Sequence, residues 1–368
     1  MSMLRNTYVR IDLSALRHNI RATKQYLPKQ VKLLMVVKTD GYGHGLETVG
    51  KVAQEEKVDF LGIALAEEGI ALRQAGVTMP VLCFGALNQA GFDALAEWGI
   101  TATIPDLRCA RMAEAAAQKA GKKLAVHLKL ETGMNRVGIA GEEELKKVLE
   151  AVEASPLLFL EGAYTHFADA DRPGSEYTHQ QARRFQELAS LLPEGLILHA
   201  GATGGALFYP EYHFDMVRIG SALYGSTPKG SPIDFHPCLE LLSEVTFVKT
   251  IEPGQHVSYG CTFMAEKEMR VATVAIGYGD GYRRALSNCG RVLIRGKSCP
   301  IVGRVCMDQC MVDVSAVPET APGDEAVLIG ARGSERIGAD ELAELCGTVY
   351  YEILTAPSRR VPRLYINE

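Results

Sequence analysis

Lys38 closes an apolar run in 36-VVKTDGYGHG-45, and Gly41, Tyr42, Gly43, His44 and Gly45 follow within seven residues. An amine brought out at the end of a buried segment is a candidate nucleophile or base, because burial lowers its proton affinity. The glycines permit a tight turn beside it. Tyr42 can aim a hydroxyl from that turn, whereas His44 reads as structural. Further polar groups close or occupy apolar runs: Lys129 in KLAVHLKL, His166 in LFLEGAYTHF and Arg218 in FDMVRIG. Two glycine-rich turns, 201-GATGG-205 with Thr203 and the pair Gly220-Ser221, offer backbone N–H groups to an anion. Any one of these has an ordinary reading, such as a solvated strand end or a hydrogen-bonded histidine. Together they need an element that brings them to one place.

The pattern supplies it. Eight apolar runs, at 31–37, 58–64, 80–85, 100–104, 123–130, 158–167, 196–200 and 214–220, alternate with helix-period segments. Eight repeats argue for a closed parallel (β/α)8 barrel of the TIM type, whose sites lie at the C-terminal strand ends. In the helix expected at 106–121, Leu107, Ala110, Met112, Ala115 and Ala116 make an apolar stripe and Gly121 a C-cap; a second helix is expected at 142–154. After residue 235 the texture changes to short runs at 243–251, 269–278, 291–297, 299–315 and 325–331, with only 339–347 helical in pattern. This part reads as a mostly antiparallel β domain. The Pro/Gly/Ser-rich stretch 226-STPKGSPIDFHP-237 reads as the junction, giving domains 10–232 and 233–368, with 1–9 joining the second.

Bulk properties narrow the function. Of 368 residues, 47% are hydrophobic and 23% charged, which is ordinary for a globular protein. A net charge of −5 with interspersed signs excludes a nucleic-acid groove as the leading reading. The nine cysteines include no CxxC pair; Cys306 and Cys310 alternate with apolar residues and read as strand positions rather than zinc ligands, so no metal is expected. Reduced thiols and a cytoplasmic location fit that usage. No run reaches the roughly 18 apolar residues of a membrane helix, so no membrane segment is expected in this chain.

A phosphate cradle after the seventh and eighth barrel strands, facing a lysine from the first, suggests pyridoxal 5′-phosphate held as a Schiff base. VVKTDGYGHG resembles the cofactor-lysine motif of bacterial alanine racemases. The resemblance continues through 127-HLKLETGMNRVG-138, 164-YTHFADAD-171, 214-FDMVRIGSALYG-225, 257-VSYGCTF-263, 276-IGYGDGYRR-284, 303-GRVCMDQCMVDV-314 and 360-RVPR-363. It implies a homodimer with active sites shared between subunits, acting on a small amino acid to supply D-alanine for peptidoglycan. It implies Lys38 as cofactor anchor and one base, and Tyr259, from the partner subunit, as the other. His166 would lie near that tyrosine, Arg218 at the pyridine nitrogen, and Arg136 at the cofactor's phenolate oxygen and the substrate carboxylate. Lys129 matches a lysine that many members carbamylate. Tyr42, Thr203, Gly220 and Ser221 match phosphate contacts, Met307 and Asp308 the substrate-side loop, and Tyr278 the inner entrance.

Three positions depart from the family pattern. Arg359 stands where a phosphate-binding tyrosine is usual, Glu131 replaces an aspartate in the segment carrying Arg136, and 202-ATGG-205 lacks an asparagine. The serine racemases of the vancomycin-resistance type alter the same tyrosine position, so serine is the alternative substrate. An apolar pocket separates an added hydroxyl by only about a hundredfold. A decarboxylase of basic amino acids would call for an acid at the pyridine nitrogen, which Arg218 is not. A cofactor carrier without turnover would not need the β domain.

Overall fold

The computed structural model describes residues 5–367, so residues 1–4 of the expected segment 1–9, and Glu368, lie outside the described residues. Strand β1 (Tyr8–Asp12) precedes eight parallel strands: β2 (Lys32–Val36), β3 (Phe60–Ile63), β4 (Val81–Cys83), β5 (Thr101–Ile104), β6 (Leu124–Lys129), β7 (Leu158–Tyr164), β8 (Ile197–His199) and β9 (Met216–Ile219). Their order is β8-β7-β6-β5-β4-β3-β2-β9, a nearly closed barrel-like sheet, and each strand falls inside one of the eight apolar runs. Such strands are covered on both faces, which is why they read as continuous apolar stretches rather than alternating ones. The seam between β8 and β9 is stitched by the N–H of Asp215 donating to the carbonyl of Leu198 at 3.0 Å and that of Arg218 to Gly201 at 2.9 Å. The Asp215 carboxylate also accepts from the N–H of Leu198 at 2.9 Å.

Helix Leu107–Ala120 begins at Asp106, whose Oδ1 accepts from the N–H of Cys109 at 2.6 Å, and ends on Gly121 at φ 63°. Its buried stripe is Cys109, Ala110, Ala113, Ala116 and Ala117, not the one expected. Ala110 and Ala116 are shared, but Leu107 and Met112 line an open surface cleft with Arg108 and Arg111, and Ala115 is exposed. Small side chains allow close packing, so the alanine-rich face wins over the larger apolar residues. The helix at Glu142–Ala154 forms as expected.

One compact unit spans Ala15–Pro237; the other combines the residues up to Ser14 with those from Cys238. The second contains β10 (Leu239–Ile251), β11 (His256–Val257), β12 (Phe263–Met264), β13 (Met269–Val274), β14 (Arg291–Ile294), β15 (Lys297–Pro300), β16 (Cys310–Asp313), β17 (Glu325–Arg332), β18 (Glu335–Ile337) and β19 (Arg363–Ile366). Long β10 is the hub, pairing antiparallel with β1, β13 and β17. The β1–β19 pair is parallel. Two details differ from the sequence reading. Cys310 sits on β16, but Cys306 lies in the preceding loop, where its Sγ contacts the Ser258 hydroxyl at 3.3 Å. A short helix, Tyr350–Leu354, follows the expected one at Ala339–Cys346. Among the described residues no helix is long and apolar enough to cross a membrane.

The seam predicts a measurable effect: Asp215→Ala removes the acceptor for Leu198 and lowers the urea midpoint by the equivalent of about 1 kcal/mol. An unchanged midpoint would show that the strand ends close without it.

Candidate active site

Lys38 follows β2 and starts an unusual turn. Thr39, Asp40, Gly41 and Tyr42 all have left-handed backbones, with φ of 56°, 55°, 59° and 53°. Three of these are not glycine, and each left-handed residue of that kind costs about 1–2 kcal/mol. Side chains hold the turn in place. Glu68 accepts from the N–H of Thr39 at 2.6 Å and from that of Ala64 at 2.8 Å, and Asp40 accepts from the N–H of Leu46 at 2.9 Å. Glu68 therefore anchors the backbone immediately behind the lysine. Burial, then the nearby Arg136 charge, pushes the Lys38 amine below the ordinary lysine value, with Glu68 opposing.

Arg218, on β9, is only 3% exposed. Its guanidinium donates to the carbonyls of Thr165 and Ala200, each at 2.8 Å, and to His199 Nδ1 at 2.9 Å; His166 Nδ1 lies 3.2 Å away. The Tyr164 ring lies beneath it, with the centroid at 5.2 Å. Burial lowers Arg218 to about 10, so it keeps its proton at neutral pH. His166 is driven down to about 3 by burial and then by the charges of Arg218, Arg136, Lys129 and Lys38. That ring is neutral at any working pH. All four of these cations therefore lie close enough to His166 for their charges to act on it.

Lys129 ends β6, donates to the Leu130 carbonyl at 2.9 Å, and is lowered to about 8 by burial, with Glu131 opposing and Arg218 and Arg136 assisting. Glu131 organises the loop that carries Arg136. Its carboxylate accepts from the N–H of Gly133 at 2.6 Å and of Arg136 at 3.3 Å. Burial works against its charge, but the N–H groups of Asn135 and Gly133, with the Lys129 charge and the Arg136 N–H, hold its pKa below the usual value. The longer arm of Glu131 thus closes the loop onto itself, and the Arg136 side chain is left exposed.

The opposite end of the rim gathers Tyr42, Thr203, Gly220 and Ser221. The Tyr42 ring leans on Tyr224 at 5.0 Å, and a Cβ at Gly220 would stand 2.6 Å from the Tyr42 hydroxyl. The N–H of Gly220 approaches the Thr203 hydroxyl at 3.4 Å. Helix Thr203–Phe208 starts here, so its first-turn N–H groups have no partner within the helix. Gly204 has another reason to lack a side chain: a Cβ there would meet the Ala170 carbonyl at 2.6 Å. His44 is buried, with Nδ1 2.9 Å from the Tyr42 carbonyl, which fits its structural reading.

In the other unit, three loops meet. The Ser258 hydroxyl donates to the Arg304 carbonyl at 2.7 Å, the N–H of Tyr278 to Cys306 at 3.0 Å and that of Gly279 to Met307 at 2.8 Å. These bonds gather Tyr259, Tyr278, Met307 and Asp308, and all four are exposed within this unit, Tyr259 at 73%. Asp308 pairs with Arg360 at 2.7 Å, and Arg360 also reaches fully buried Asp280 at 3.4 Å. Arg359 is exposed and takes no part in those pairs. Glu68, which holds the backbone behind Lys38, and Arg360, which pairs with Asp308 and Asp280, were not singled out from the sequence, because neither sits at a strand end.

Residues 11–228 match the family model described as alanine racemase, N-terminal domain, and residues 238–365 the model of its C-terminal domain. An alanine racemase of Symbiobacterium thermophilum is 41% identical over 99% of this chain and 98% of its own. Alanine racemase 2 of Bacillus subtilis is 38% identical over 100% and 96%. Among solved structures, alanine racemase from Clostridium difficile superposes with a TM-score of 0.94 at 35% identity, covering 99% of this chain and 97% of that one. A Bacillus anthracis alanine racemase with bound L-Ala-P has a TM-score of 0.94 at 36% identity, covering 100% and 97%.

The electrostatics of Lys38 make a signed prediction. Arg136→Ala removes a like charge and raises its pKa, whereas Glu68→Gln removes the opposing charge and lowers it further. The pH dependence of Lys38 acylation in cofactor-free protein reads both shifts. Shifts of the same sign would contradict this geometry.

Proposed function

The chain belongs to the alanine racemase family and is an amino-acid racemase, and from that premise we propose that it interconverts L- and D-alanine with bound pyridoxal 5′-phosphate and two bases. The proposed setting is a cytoplasmic homodimer with shared sites, supplying D-alanine for peptidoglycan. The observation that carries the reading is the cation-rich rim itself: a depressed lysine, a buried arginine and a neutral histidine beside a hydroxyl-lined glycine turn.

The residues fit that cofactor. A Cβ at Gly220 would crowd the Tyr42 hydroxyl, so the turn stays open only as glycine. Tyr42, Thr203 and the N–H groups at Gly220 and Ser221 form a donor set suited to a phosphate dianion, with Arg359 a further cation for it. The cofactor, when bound, supplies the electron delocalisation that makes an amino acid's α-proton removable.

The chain's own groups do the rest. Lys38 would anchor the aldehyde end, and burial with the Arg136 charge lowers its pKa, which favours the free amine that a base needs. Tyr259 of the partner subunit would serve as the second base. His166 is neutral and would hydrogen-bond near that phenol. Arg218 would donate to the pyridine nitrogen while keeping its own proton, which would restrain competing reactions. Arg136 steadies the phenolate oxygen and the substrate carboxylate. Lys129, near 8, has the free-amine fraction that carbamylation requires, and a carbamate there would face Arg136 with a negative charge. Met307 and Asp308 border the substrate, and Tyr278 the entrance.

Serine is the competing substrate, because Arg359 stands where the family usually carries a tyrosine. Holoenzyme incubated separately with pure L-alanine and pure L-serine, then resolved by chiral chromatography, is expected to give D-alanine faster than D-serine. Faster D-serine would shift the substrate assignment; neither product would overturn the racemase mechanism.

A further inference from the structure

Below the rim, the barrel interior holds a line of polar groups that the proposed mechanism leaves unexplained. Arg218 Nη1 lies 2.9 Å from His199 Nδ1; His199 Nε2 lies 2.8 Å from His127 Nδ1; His127 Nε2 lies 3.1 Å from Glu161 Oε2. Both histidines are fully buried. Placing two imidazoles in a barrel core is unfavourable unless every polar atom is paired, and here each ring nitrogen is.

The ends of this line dictate its interior. A guanidinium only donates and a carboxylate only accepts. His199 Nδ1 must therefore hold a lone pair, so its proton sits on Nε2 and is donated to His127 Nδ1. His127 in turn carries its proton on Nε2 and donates it to Glu161. Burial keeps both rings below the ordinary histidine pKa, so each has one proton.

The backbone is shaped around the line. Val126 pairs with Leu160 but His127 pairs with Gly162, so Glu161 is the extra residue of a β-bulge in β7. Bulges re-aim side chains, and this one turns a carboxylate from an apolar strand toward the interior. Gly162 clears the space, since a Cβ there would lie 2.7 Å from His127 Cε1 and 2.5 Å from the Ile197 carbonyl. The Tyr164 ring stacks on His199 at 4.7 Å and 9°, and its hydroxyl is fixed by Thr103 at 3.0 Å.

We propose that Glu161, His127 and His199 are positioning residues that lock one tautomer chain and thereby hold the Arg218 guanidinium, as a donor of fixed orientation, at the cofactor ring. The last step rests on the proposed function, in which Arg218 faces the pyridine nitrogen. Loss of the Glu161 acceptor lets His127 reverse, which turns His199 Nδ1 into a donor facing another donor and displaces Arg218.

Neutron diffraction of deuterated holoenzyme tests the lock directly, with deuterium expected on Nε2 of His127 and His199. Deuterium on Nδ1 of either ring overturns it. In Glu161→Leu, and in Glu161→Gln as the milder variant, kcat is expected to fall with little change in KM. The ratio of transamination to racemisation is expected to rise, and an ångström of Arg218 displacement slows racemisation about a hundredfold. An unchanged ratio and an unmoved Arg218 in both variants overturn the positioning role. An Arg218 that does not approach the cofactor ring in the wild-type map refutes instead the cofactor assignment of that residue, whatever the tautomers are.

Discussion

A guanidinium is buried in this barrel among neutral acceptors: two imidazoles and two carbonyls contact Arg218, and no carboxylate of the described residues does. An uncompensated buried cation raises the potential at every neighbouring site. Lys129 feels it, as does His166, whose ring it helps to keep neutral near pH 7. The rim is thus a place where amines are easily neutral and anions are welcome. Phosphate, carboxylate and a reactive amine have the same electrostatic requirement, which is why one set of cations can serve all three.

The same field limits what the barrel unit can do by itself. A base must hold a proton well enough to remove it from carbon, and His166 near 3 is far too weak. Tyr164 is raised to about 12 by burial and is tied to Thr103. Lys129 turns its amine to the Leu130 carbonyl. Lys38 remains as the one suited base among the described rim residues. The proposed two-base exchange therefore takes its second base from outside the barrel. The C-terminal unit presents Tyr259 in an exposed loop tied down by the Ser258–Arg304 bond, and the same unit holds the Asp308–Arg360–Asp280 ion pairs.

Much of this was legible because buried parallel strands write themselves as apolar runs, and a charge that closes such a run marks a rim. Lys38, Lys129, His166 and Arg218 were visible in that way, and the family resemblance added Arg136 and the C-terminal loops. Glu161 was not, since a glutamate in an apolar strand reads as solvent-facing until a bulge is known. Glu68 was hidden because it grips backbone N–H groups rather than a side chain. The helix face at 107–120 went astray because alanines on several faces leave the apolar direction ambiguous. Cys306 was drawn into a strand by its alternating neighbours, although the glycine of 303-GRVCMDQC-310 leads a loop.

The central claim is that one chemical centre takes its two bases from two copies of the chain, Lys38 from one and Tyr259 from the other. Co-expressing the inactive Lys38→Ala and Tyr259→Phe variants measures this directly. In a mixed dimer of twofold symmetry one site carries both lesions and the other carries neither, so random pairing restores about a quarter of wild-type activity. Activity no greater than the sum of the two separate variants, in a preparation shown to contain mixed dimers, would mean that both bases come from one chain and would contradict the account.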